Sequence, residues 1–306
     1  MKKTAFLLFI IVISLCQYTN SQTITDFKNQ PVPKYPATLK VLGIGNSFTD
    51  DGMEYLPDML NAAGIKNVTL GKISLGGCSL ERHDTLFVTG DTLYKYNKSY
   101  SGKNRWETER QHCALSYAIA DEAWDIIVIQ QASPFSGLYE TYQPYLKRLI
   151  TSILTTCPNA GVTLAWQMTW AYGSASTHTG FANYNKDQNT MYQAIIQAVK
   201  TMISETGIDL IIPSATTIQN LRASEINNPP ADLTRDGYHI DFGAGRYALA
   251  CTWFQSVIAP SLGITIQGNA FRTAKGAVPV DDRIAGICQK AAQQACSQQF
   301  KPIITN

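Results

Sequence analysis

Short apolar runs that alternate with segments of helical spacing most constrain the fold of this chain. The clearest run, residues 125–129, is unbroken after Asp125, as in a strand that is buried on both faces. Strands and helices that alternate along a chain form a parallel sheet with right-handed crossovers and helices on both faces. We therefore expect the α/β class, with five strands at residues 39–44, 68–75, 125–129, 162–167 and 208–213.

Helices are predicted where apolar residues recur every three or four positions. One follows the first strand at about residues 53–63 and ends at Gly64, a residue suited to the end of a helix. Residues 81–109 are polar, rich in Tyr, Lys and Asn, and show little periodicity, so we expect a long insertion or covering loop there. Further helices are expected at residues 111–122, 142–156, 189–206, 242–258 and 281–296.

The N-terminus has the pattern of a secretory signal. Two lysines precede the apolar run of residues 5–15, and small or polar residues follow through position 21. This order predicts a signal peptide at residues 1–21 and export to the periplasm, the cell surface or the medium. Lipid attachment at Cys16 is the alternative, although Leu15 before it is bulkier than such a site prefers.

The rest of the chain divides into three expected parts. Residues 22–36 are predicted to be an extended lead-in, residues 37–262 the main α/β domain, and residues 263–306 a C-terminal tail with one helix. No later run reaches the length of about 20 apolar residues that spans a bilayer, so no membrane contact is expected after signal cleavage.

Charge and cysteine usage narrow the function classes. With a net charge of +2 and no basic block, the chain offers no electrostatic surface for nucleic acid. Six of the seven cysteines remain without Cys16, and export would allow them to pair in any of about fifteen ways, among which the sequence does not choose. No Cys-x-x-Cys or His-rich tract is present, so we expect neither a metal nor a cofactor. The oligomeric state stays open.

One serine lies where α/β folds bind their ligands. Residues 45–52, Gly-Asn-Ser-Phe-Thr-Asp-Asp-Gly, follow the first strand and precede a helix, which puts Ser47 at the carboxyl edge of the sheet. A serine hydroxyl becomes a strong nucleophile when a base takes its proton and a carboxylate orients that base. The other explanation is that Ser47 only caps the next helix, a role that Asp50 or Asp51 could also fill.

A carboxylate and an imidazole follow the last predicted strand. Asp236 and His239 are three residues apart, and on a tight turn both side chains can lie on one side. The carboxylate could then bind one imidazole nitrogen while the other nitrogen faces Ser47. An ordinary turn with a packed histidine is the alternative.

An acyl-transfer site also needs donors for the oxyanion, each typically worth about 3 kcal/mol. Ser47 N–H is one candidate. The pair Gly76-Gly77 allows close backbone approach, so Gly77 N–H is a second candidate, with Gly76 as a further contact to substrate. Gln130, directly after a buried strand, offers a side-chain amide as a third, with Gln131 as its alternative.

Two other residues are candidate contacts to the substrate. Trp170 follows the fourth strand at the same edge of the sheet as Ser47, where an aromatic ring could stack on a sugar. His178 lies in a loop rich in Gly, Ser and Thr and could touch a ligand. Core packing is the alternative for the aromatic residues, and a surface position for the histidine.

Taken in order, these motifs resemble those of the SGNH, or GDSL-like, hydrolase superfamily. Residues 45–49 match its first block, Gly77 or Gly76 its second, and residues 236–239 its last. The third block departs, because the chain has Gln130-Gln131 where the superfamily usually has Gly-x-Asn-Asp. An exported bacterial branch of unknown function, with Gly-Asn-Ser-Phe-Thr and Asp-Gly-x-His, is the most similar.

The resemblance implies a three-layer α/β/α sandwich with a flavodoxin-like, five-stranded parallel sheet in the order 2-1-3-4-5. It also implies a secreted serine esterase that removes acetyl or other short acyl groups from a carbohydrate. Ser47, His239 and Asp236 would form the catalytic triad, and Ser47, Gly77 and Gln130 the oxyanion hole. The alternative from another class is a non-catalytic glycan-binding protein on the same fold. A phosphoryl-transfer enzyme is disfavoured, because the sequence has neither an acidic metal cluster nor a phosphate loop.

Overall fold

One mixed sheet of seven strands forms the middle layer of the structure. The computed structural model describes residues 27–227 and 231–303. The strands are β1 (Leu39–Gly45), β2 (Val68–Ser74), β3 (Tyr94–Ser99), β4 (Glu107–Cys113), β5 (Ile126–Ile129), β6 (Thr163–Gln167) and β7 (Leu210–Ile212). Their spatial order is β4-β3-β2-β1-β5-β6-β7.

The five predicted strands are all present and parallel. They correspond to β1, β2, β5, β6 and β7, and their spatial order is the expected 2-1-3-4-5. β1 lies in the centre, where Val41 faces one apolar core and its neighbour Leu42 faces the other. Because both faces are buried, such strands are read from the sequence as continuous apolar runs.

Helices cover both faces of the sheet. One core is formed with α3, α4, α5 and α6, and the opposite core with α1, α2, α8 and α10. The three-layer sandwich that the sequence predicts is therefore confirmed. The helices are α1 (Ser47–Met53), α2 (Leu56–Ala62), α3 (Leu80–Thr89), α4 (Leu115–Ala120), α5 (Tyr145–Thr156), α6 (Gln188–Thr206), α7 (Ser214–Arg222), α8 (Ala244–Trp253), α9 (Ala259–Leu262) and α10 (Asp282–Ser297).

The expected five-strand count is wrong, because the polar segment 81–109 is not a covering loop. It contains most of α3, all of β3 and the start of β4, and it extends the sheet beyond β2 by two antiparallel strands. The helix predicted from residue 111 is correspondingly shorter, since β4 continues to Cys113. β4 is an edge strand with exposed charged residues, so it lacks the apolar run or alternation by which a strand is recognised.

The C-terminal helix is part of the packed structure. Asp281 caps α10 by accepting a hydrogen bond from the Ile284 N–H at 2.8 Å, and the apolar face of the helix, including Cys288, is buried. All six cysteines in the described part of the chain are unpaired.

The predicted signal peptide and the alternative lipid site at Cys16 lie outside the described residues. Of the predicted lead-in, residues 27–36 are described and form no helix or strand. The side-chain amide of Asn29 in this segment donates to the Leu164 carbonyl on β6 at 2.8 Å, and its oxygen accepts from the Leu164 N–H at 2.8 Å. Within residues 27–227 and 231–303, no helix has the length and apolar character needed to cross a bilayer.

Candidate active site

Ser47 is the first residue of α1, directly after the carboxyl end of β1. The helix is capped by Asn46, whose side-chain oxygen accepts a hydrogen bond from the Phe48 N–H at 3.0 Å. Capping therefore does not account for Ser47, and its hydroxyl is left for another partner. The two aspartates considered as caps have other contacts, because Asp50 accepts from Ser74 Oγ and Asp51 is buried in an ion pair.

A tight turn brings Asp236 and His239 together. One carboxylate oxygen of Asp236 accepts hydrogen bonds from the N–H groups of Tyr238 at 3.1 Å and His239 at 2.7 Å. Gly237 has a φ of +90°, a conformation that favours glycine, and a Cβ there would lie 2.9 Å from Ser176 Cα. The Asp-Gly-x-His spacing thus folds into a turn that places both side chains on one side.

The three predicted triad residues meet at one edge of the sheet. His239 Nε2 lies 2.8 Å from Ser47 Oγ, and His239 Nδ1 lies 2.6 Å from the second carboxylate oxygen of Asp236. Ser47 and His239 are 192 residues apart in the chain, so only the fold creates this contact. The geometry is that of a hydroxyl, a base and an orienting carboxylate in hydrogen-bond reach.

The electrostatics of the turn favour an ionised Asp236. Partial burial acts to raise the pKa of Asp236, but hydrogen bonds from the side chain and N–H of His239 and from the Tyr238 N–H outweigh it and lower that pKa. An ionised carboxylate is an acceptor only, so the Nδ1–H of His239 donates to it. Nε2 is then left as the acceptor for the Ser47 hydroxyl.

A pocket of about 350 Å³ opens over Ser47 and His239. Gly76 and Gly77 form part of its rim, both exposed, and a Cβ at either position would meet nothing within 4 Å. The chain that follows β5 and the side chains of His178 and Tyr238 complete the wall. The full lining is Asn46, Ser47, Phe48, Gly76, Gly77, Ala132, Ser133, Pro134, His178, Tyr238 and His239.

The two glutamines after β5 lie beneath the pocket and do not line it. The Gln130 amide donates to Asn46 Oδ1 at 2.7 Å, and its oxygen accepts from Thr49 Oγ1 at 3.0 Å. Gln131 donates to Thr141 and accepts from the N–H groups of Leu80 and Ala132. Each glutamine is 1% exposed, so neither amide is brought to the predicted oxyanion position. Their hydrogen bonds instead hold the loops that form the pocket.

Of Trp170 and His178, the two ring side chains predicted to contact the substrate, only His178 reaches the pocket. Trp170 is fully buried, stacks on Phe48 with ring centroids 4.1 Å apart, and donates from Nε1 to the Tyr238 carbonyl at 2.8 Å. It supports the floor of the pocket and does not offer a face to a ligand. His178 Nδ1 accepts from the Gly180 N–H at 3.0 Å, so a neutral ring carries its proton on Nε2. Burial and the neighbouring His239 lower the pKa of His178, which favours that neutral form.

A buried carboxylate ties the helix of Ser47 to the loop of His239, and sequence reasoning missed this function. Asp51 on α1 has no exposed side-chain area, and its oxygens lie 2.6 Å from Arg246 and 3.1 Å from Arg235. It also accepts from the Ile240 N–H, next to His239, at 3.1 Å. Its position four residues after Ser47 was a signal, but the arginines that pair with it could not be identified from spacing.

Other pocket residues were also missed. Ser133 and Pro134 follow β5, which ends at Ile129, so their place near the carboxyl edge was a usable signal. Tyr238 lies inside the Asp-Gly-x-His motif, and its ring centroid is 4.3 Å from that of His239. In the described residues, no group of three or more His, Cys, Asp and Glu side chains is arranged to hold a metal ion.

The fold and the site together define the class of this protein: a flavodoxin-like α/β/α sandwich with Ser, His and Asp at the carboxyl edge of the parallel strands. The chain belongs to the family described as Domain of unknown function (DUF4886), which it matches over residues 40–295. The expected relation to a family of unknown function is therefore confirmed. Among curated proteins, none matches this sequence.

Solved structures include several similar proteins. A DUF4886 family protein from Bacteroides uniformis shares 37% sequence identity, with a TM-score of 0.78, over 87% of this chain and 97% of its own. A protein from Slackia heliotrinireducens, provisionally assigned as an SGNH hydrolase, shares 20% identity at a TM-score of 0.47, over 72% of this chain and 98% of its own. An acetylxylan esterase from Geobacillus stearothermophilus shares 15% sequence identity at a TM-score of 0.46, over 73% of this chain and 96% of its own.

Proposed function

We propose that this protein is an exported serine esterase that removes acetyl or other short acyl groups from a carbohydrate. The observation that carries the proposal is the continuous hydrogen-bonded path from Ser47 Oγ through His239 to Asp236, at 2.8 and 2.6 Å. A path of this kind makes a hydroxyl reactive at neutral pH.

In the proposed reaction, Ser47 Oγ attacks the ester carbonyl while its proton passes to His239 Nε2. Asp236 keeps Nδ1 protonated and stabilises the imidazolium that forms. His239 then gives the proton to the alcohol as it leaves, and an acyl group remains on Ser47. Water then attacks this acyl group while its proton passes to His239 Nε2. As the bond to Ser47 Oγ breaks and the acid is released, His239 returns that proton to Ser47 Oγ and the hydroxyl is regenerated.

Two backbone N–H groups are the proposed oxyanion donors. Ser47 is the first residue of α1, so its N–H has no acceptor within the helix. The N–H of Gly77 donates to no described residue, and the exposed turn that carries it lies on the pocket rim. Each such donor typically contributes about 3 kcal/mol in the transition state. Gln130 holds Asn46 in place below them and is not assigned a contact to the oxyanion.

The pocket itself supports a small acyl group. Its lining includes four small or compact residues, Gly76, Gly77, Ala132 and Pro134. The His178 Nε2–H can donate to the alcohol part of the substrate. The N-terminal sequence pattern supports export, where glycans are accessible substrates.

A non-catalytic glycan-binding protein is the second candidate. It is favoured by the burial of Gln130 and Gln131, which leaves the site without the side-chain amide that the sequence predicts as the third oxyanion donor. This candidate gives no role to the contact between Ser47 and His239, so the esterase is preferred.

The test is turnover of p-nitrophenyl acetate by the wild-type protein and by Ser47→Ala. We expect the substitution to abolish turnover, because the nucleophile is lost. Ser297→Ala, on the exposed side of α10, is the matched control and should retain the wild-type rate. Turnover that survives Ser47→Ala would reject Ser47 as nucleophile, and sugar binding without any turnover would favour the second candidate.

A further inference from the structure

A second cleft, of about 360 Å³, lies next to the pocket over Ser47. It has a predominantly polar lining. The helix α1, the end of β2 and the two antiparallel strands contribute to it. Its lining is Asp50, Glu54, Lys72, Ser74, Lys95, Asn97, Trp106 and Thr108.

The floor of this cleft is one face of the sheet. Lys72 pairs in register with Asn97, and Ser74 pairs with Lys95 across β2 and β3. Residues opposite each other in antiparallel strands point to the same face, so all four side chains lie on the side of α1. Thr108 on β4 continues this row by donating from Oγ1 to Asn97 Oδ1 at 3.1 Å. The antiparallel extension thus provides half of the floor.

The same two chain segments line the cleft and the catalytic pocket. Ser47 and Asp50 are three positions apart on α1, and Glu54 follows the helix four positions later with helical dihedral angles, so the three lie on one side. Ser47 lines the pocket, and the two carboxylates line the cleft. On the other wall, Ser74 lines the cleft and the chain reaches the pocket at Gly76. Both glycines after β2 are exposed and bear no side chain, so a ligand can pass from one space to the other over bare backbone.

The charges in the cleft balance. Lys72 is 4% exposed, and its ammonium lies 3.5 Å from Asp50 and 3.3 Å from Glu54, over the Trp106 ring. Lys95 is exposed on the floor and supplies a second positive charge. Two carboxylates and two ammonium groups leave no net charge to attract an anionic chain.

The cleft also has unused hydrogen-bonding capacity. Asn97 is 9% exposed, and although its oxygen accepts from Thr108, its Nδ2 donates to no residue in the described part of the chain. Alternating donors and acceptors in one groove suit hydroxyl groups, each of which can donate and accept. Backbone or ring oxygens of a sugar can accept from Asn97 Nδ2 and Lys95 Nζ.

We infer that this cleft is a subsite for the sugar chain that carries the ester, and that the chain is a neutral oligosaccharide. The inference rests on the proposed esterase function for the reaction, but the sugar contact itself requires no turnover. The acyl group would enter the pocket over Ser47, while the adjoining sugar units lie across Gly76 and Gly77 into the cleft.

Binding by the Ser47→Ala protein separates the subsite from catalysis. Unesterified cellotetraose, xylotetraose, mannotetraose and tetragalacturonate are titrated by calorimetry. We expect at least one neutral tetrasaccharide to bind with a Kd on the order of 0.1–1 mM, and tetragalacturonate to bind at least tenfold more weakly. Two results would overturn the inference. One is tighter binding of tetragalacturonate than of every neutral tetrasaccharide, and the other is no binding of any neutral tetrasaccharide at concentrations up to about 10 mM.

Two variants place the sugar in the cleft. Lys95→Ala and Asn97→Val each remove a hydrogen-bond donor, so we expect about tenfold weaker binding of the neutral sugar. The thermal unfolding temperature should change little, because valine is favoured in strands. Lys66→Ala, an exposed lysine before β2 at the opposite end of the strand, is the matched control. Unchanged affinity in both cleft variants would overturn the assignment of the site.

Kinetics with acetylated substrates link the cleft to the reaction. For the same two variants, the ratio of kcat/KM on the acetylated neutral tetrasaccharide to kcat/KM on p-nitrophenyl acetate should fall about tenfold, mainly through KM. An unchanged ratio would contradict the subsite. Sugar binding by Ser47→Ala together with no ester turnover by the wild type would reject the esterase and leave the cleft as the site of a sugar-binding protein.

Discussion

The five parallel strands and the antiparallel pair β3–β4 belong to one sheet but differ in what surrounds them. The parallel strands are buried on both faces, and their carboxyl ends carry Ser47 and the chain that leads to the pocket. The antiparallel pair is polar, is partly exposed at β4, and contributes to the cleft beside the pocket. The first region fixes the reacting groups, whereas the second shapes the surface beside them. Changes in the first should therefore affect chemistry, and changes in the second should affect stability or binding.

The largest effect is expected at Asp236. Asp236→Asn keeps the size of the side chain but removes the charge that orients and stabilises protonated His239, so kcat on p-nitrophenyl acetate should fall about 10⁴-fold. The measurement is steady-state kinetics, with the 96% exposed Asp282 replaced in the same way as a control. A loss below about tenfold would remove Asp236 from the triad.

The sequence predicts those parts of the fold that have a strong local pattern of residues. Apolar runs gave the five parallel strands, and the spacing of Asp236 and His239 gave a turn that the structure contains. The antiparallel pair could not be found, since a solvent-exposed edge such as β4 carries charges where buried strands carry apolar residues. Its position beside the pocket depends on how β3 pairs with β2, which the local sequence does not indicate.

The oxyanion donors show a second limit of sequence reasoning. Gln130 was expected to point at the substrate because it follows a buried strand, and an amide there needs partners. In the structure those partners are Asn46 and Thr49. The number of hydrogen bonds that Gln130 must make was predictable, but their direction depends on side chains 81 and 84 residues away in the chain.

A smaller loss of activity is expected at Asp51. Asp51→Asn leaves Arg235 and Arg246 without their carboxylate and loosens the link between α1 and the residue after His239. A displacement of about 1 Å at the reacting atoms can cost about 10²-fold, so we expect kcat to fall about 10- to 100-fold with little change in KM.

The measurement for Asp51 combines kinetics and thermal unfolding. Assays are made well below the unfolding temperature, so that a loss of folded protein does not contribute. Asp58→Asn, at an exposed position on α2, is the matched control. A lower unfolding temperature with unchanged kcat would show that Asp51 stabilises the fold without positioning His239.

The smallest effect on activity is expected beside the antiparallel pair, where His83 on α3 contacts Tyr94 of β3 and a change should affect stability. Burial, with a contribution from Arg82, lowers the pKa of His83 on α3 to about 3. In the unfolded chain His83 binds a proton near pH 6.5, whereas in the folded chain it stays neutral until about pH 3. The free energy of unfolding therefore falls as the pH drops from about 6.5 toward 3. The slope from this side chain is at most about 1.4 kcal/mol per pH unit.

Replacing His83 tests that slope. An asparagine keeps a donor near the Tyr94 hydroxyl, which lies 2.8 Å from His83 Nδ1, and has no proton to gain. Between about pH 4 and pH 6.5, the free energy of unfolding measured with denaturant should depend less steeply on pH in His83→Asn than in the wild type. The exposed His112 on β4, replaced by asparagine, is the comparison. Parallel curves for wild type and His83→Asn would mean that the pKa of His83 is the same in the folded and unfolded chains.

Covalent labelling with diisopropyl fluorophosphate tests most directly whether the fold makes the Ser47 hydroxyl a nucleophile. Intact-mass measurement and peptide mapping should show one adduct per chain, on Ser47, with loss of p-nitrophenyl acetate turnover in proportion. The adduct should be absent from Ser47→Ala and should form much more slowly in His239→Ala. A protein that hydrolyses the ester but is labelled elsewhere, or is not labelled at all, would contradict the triad.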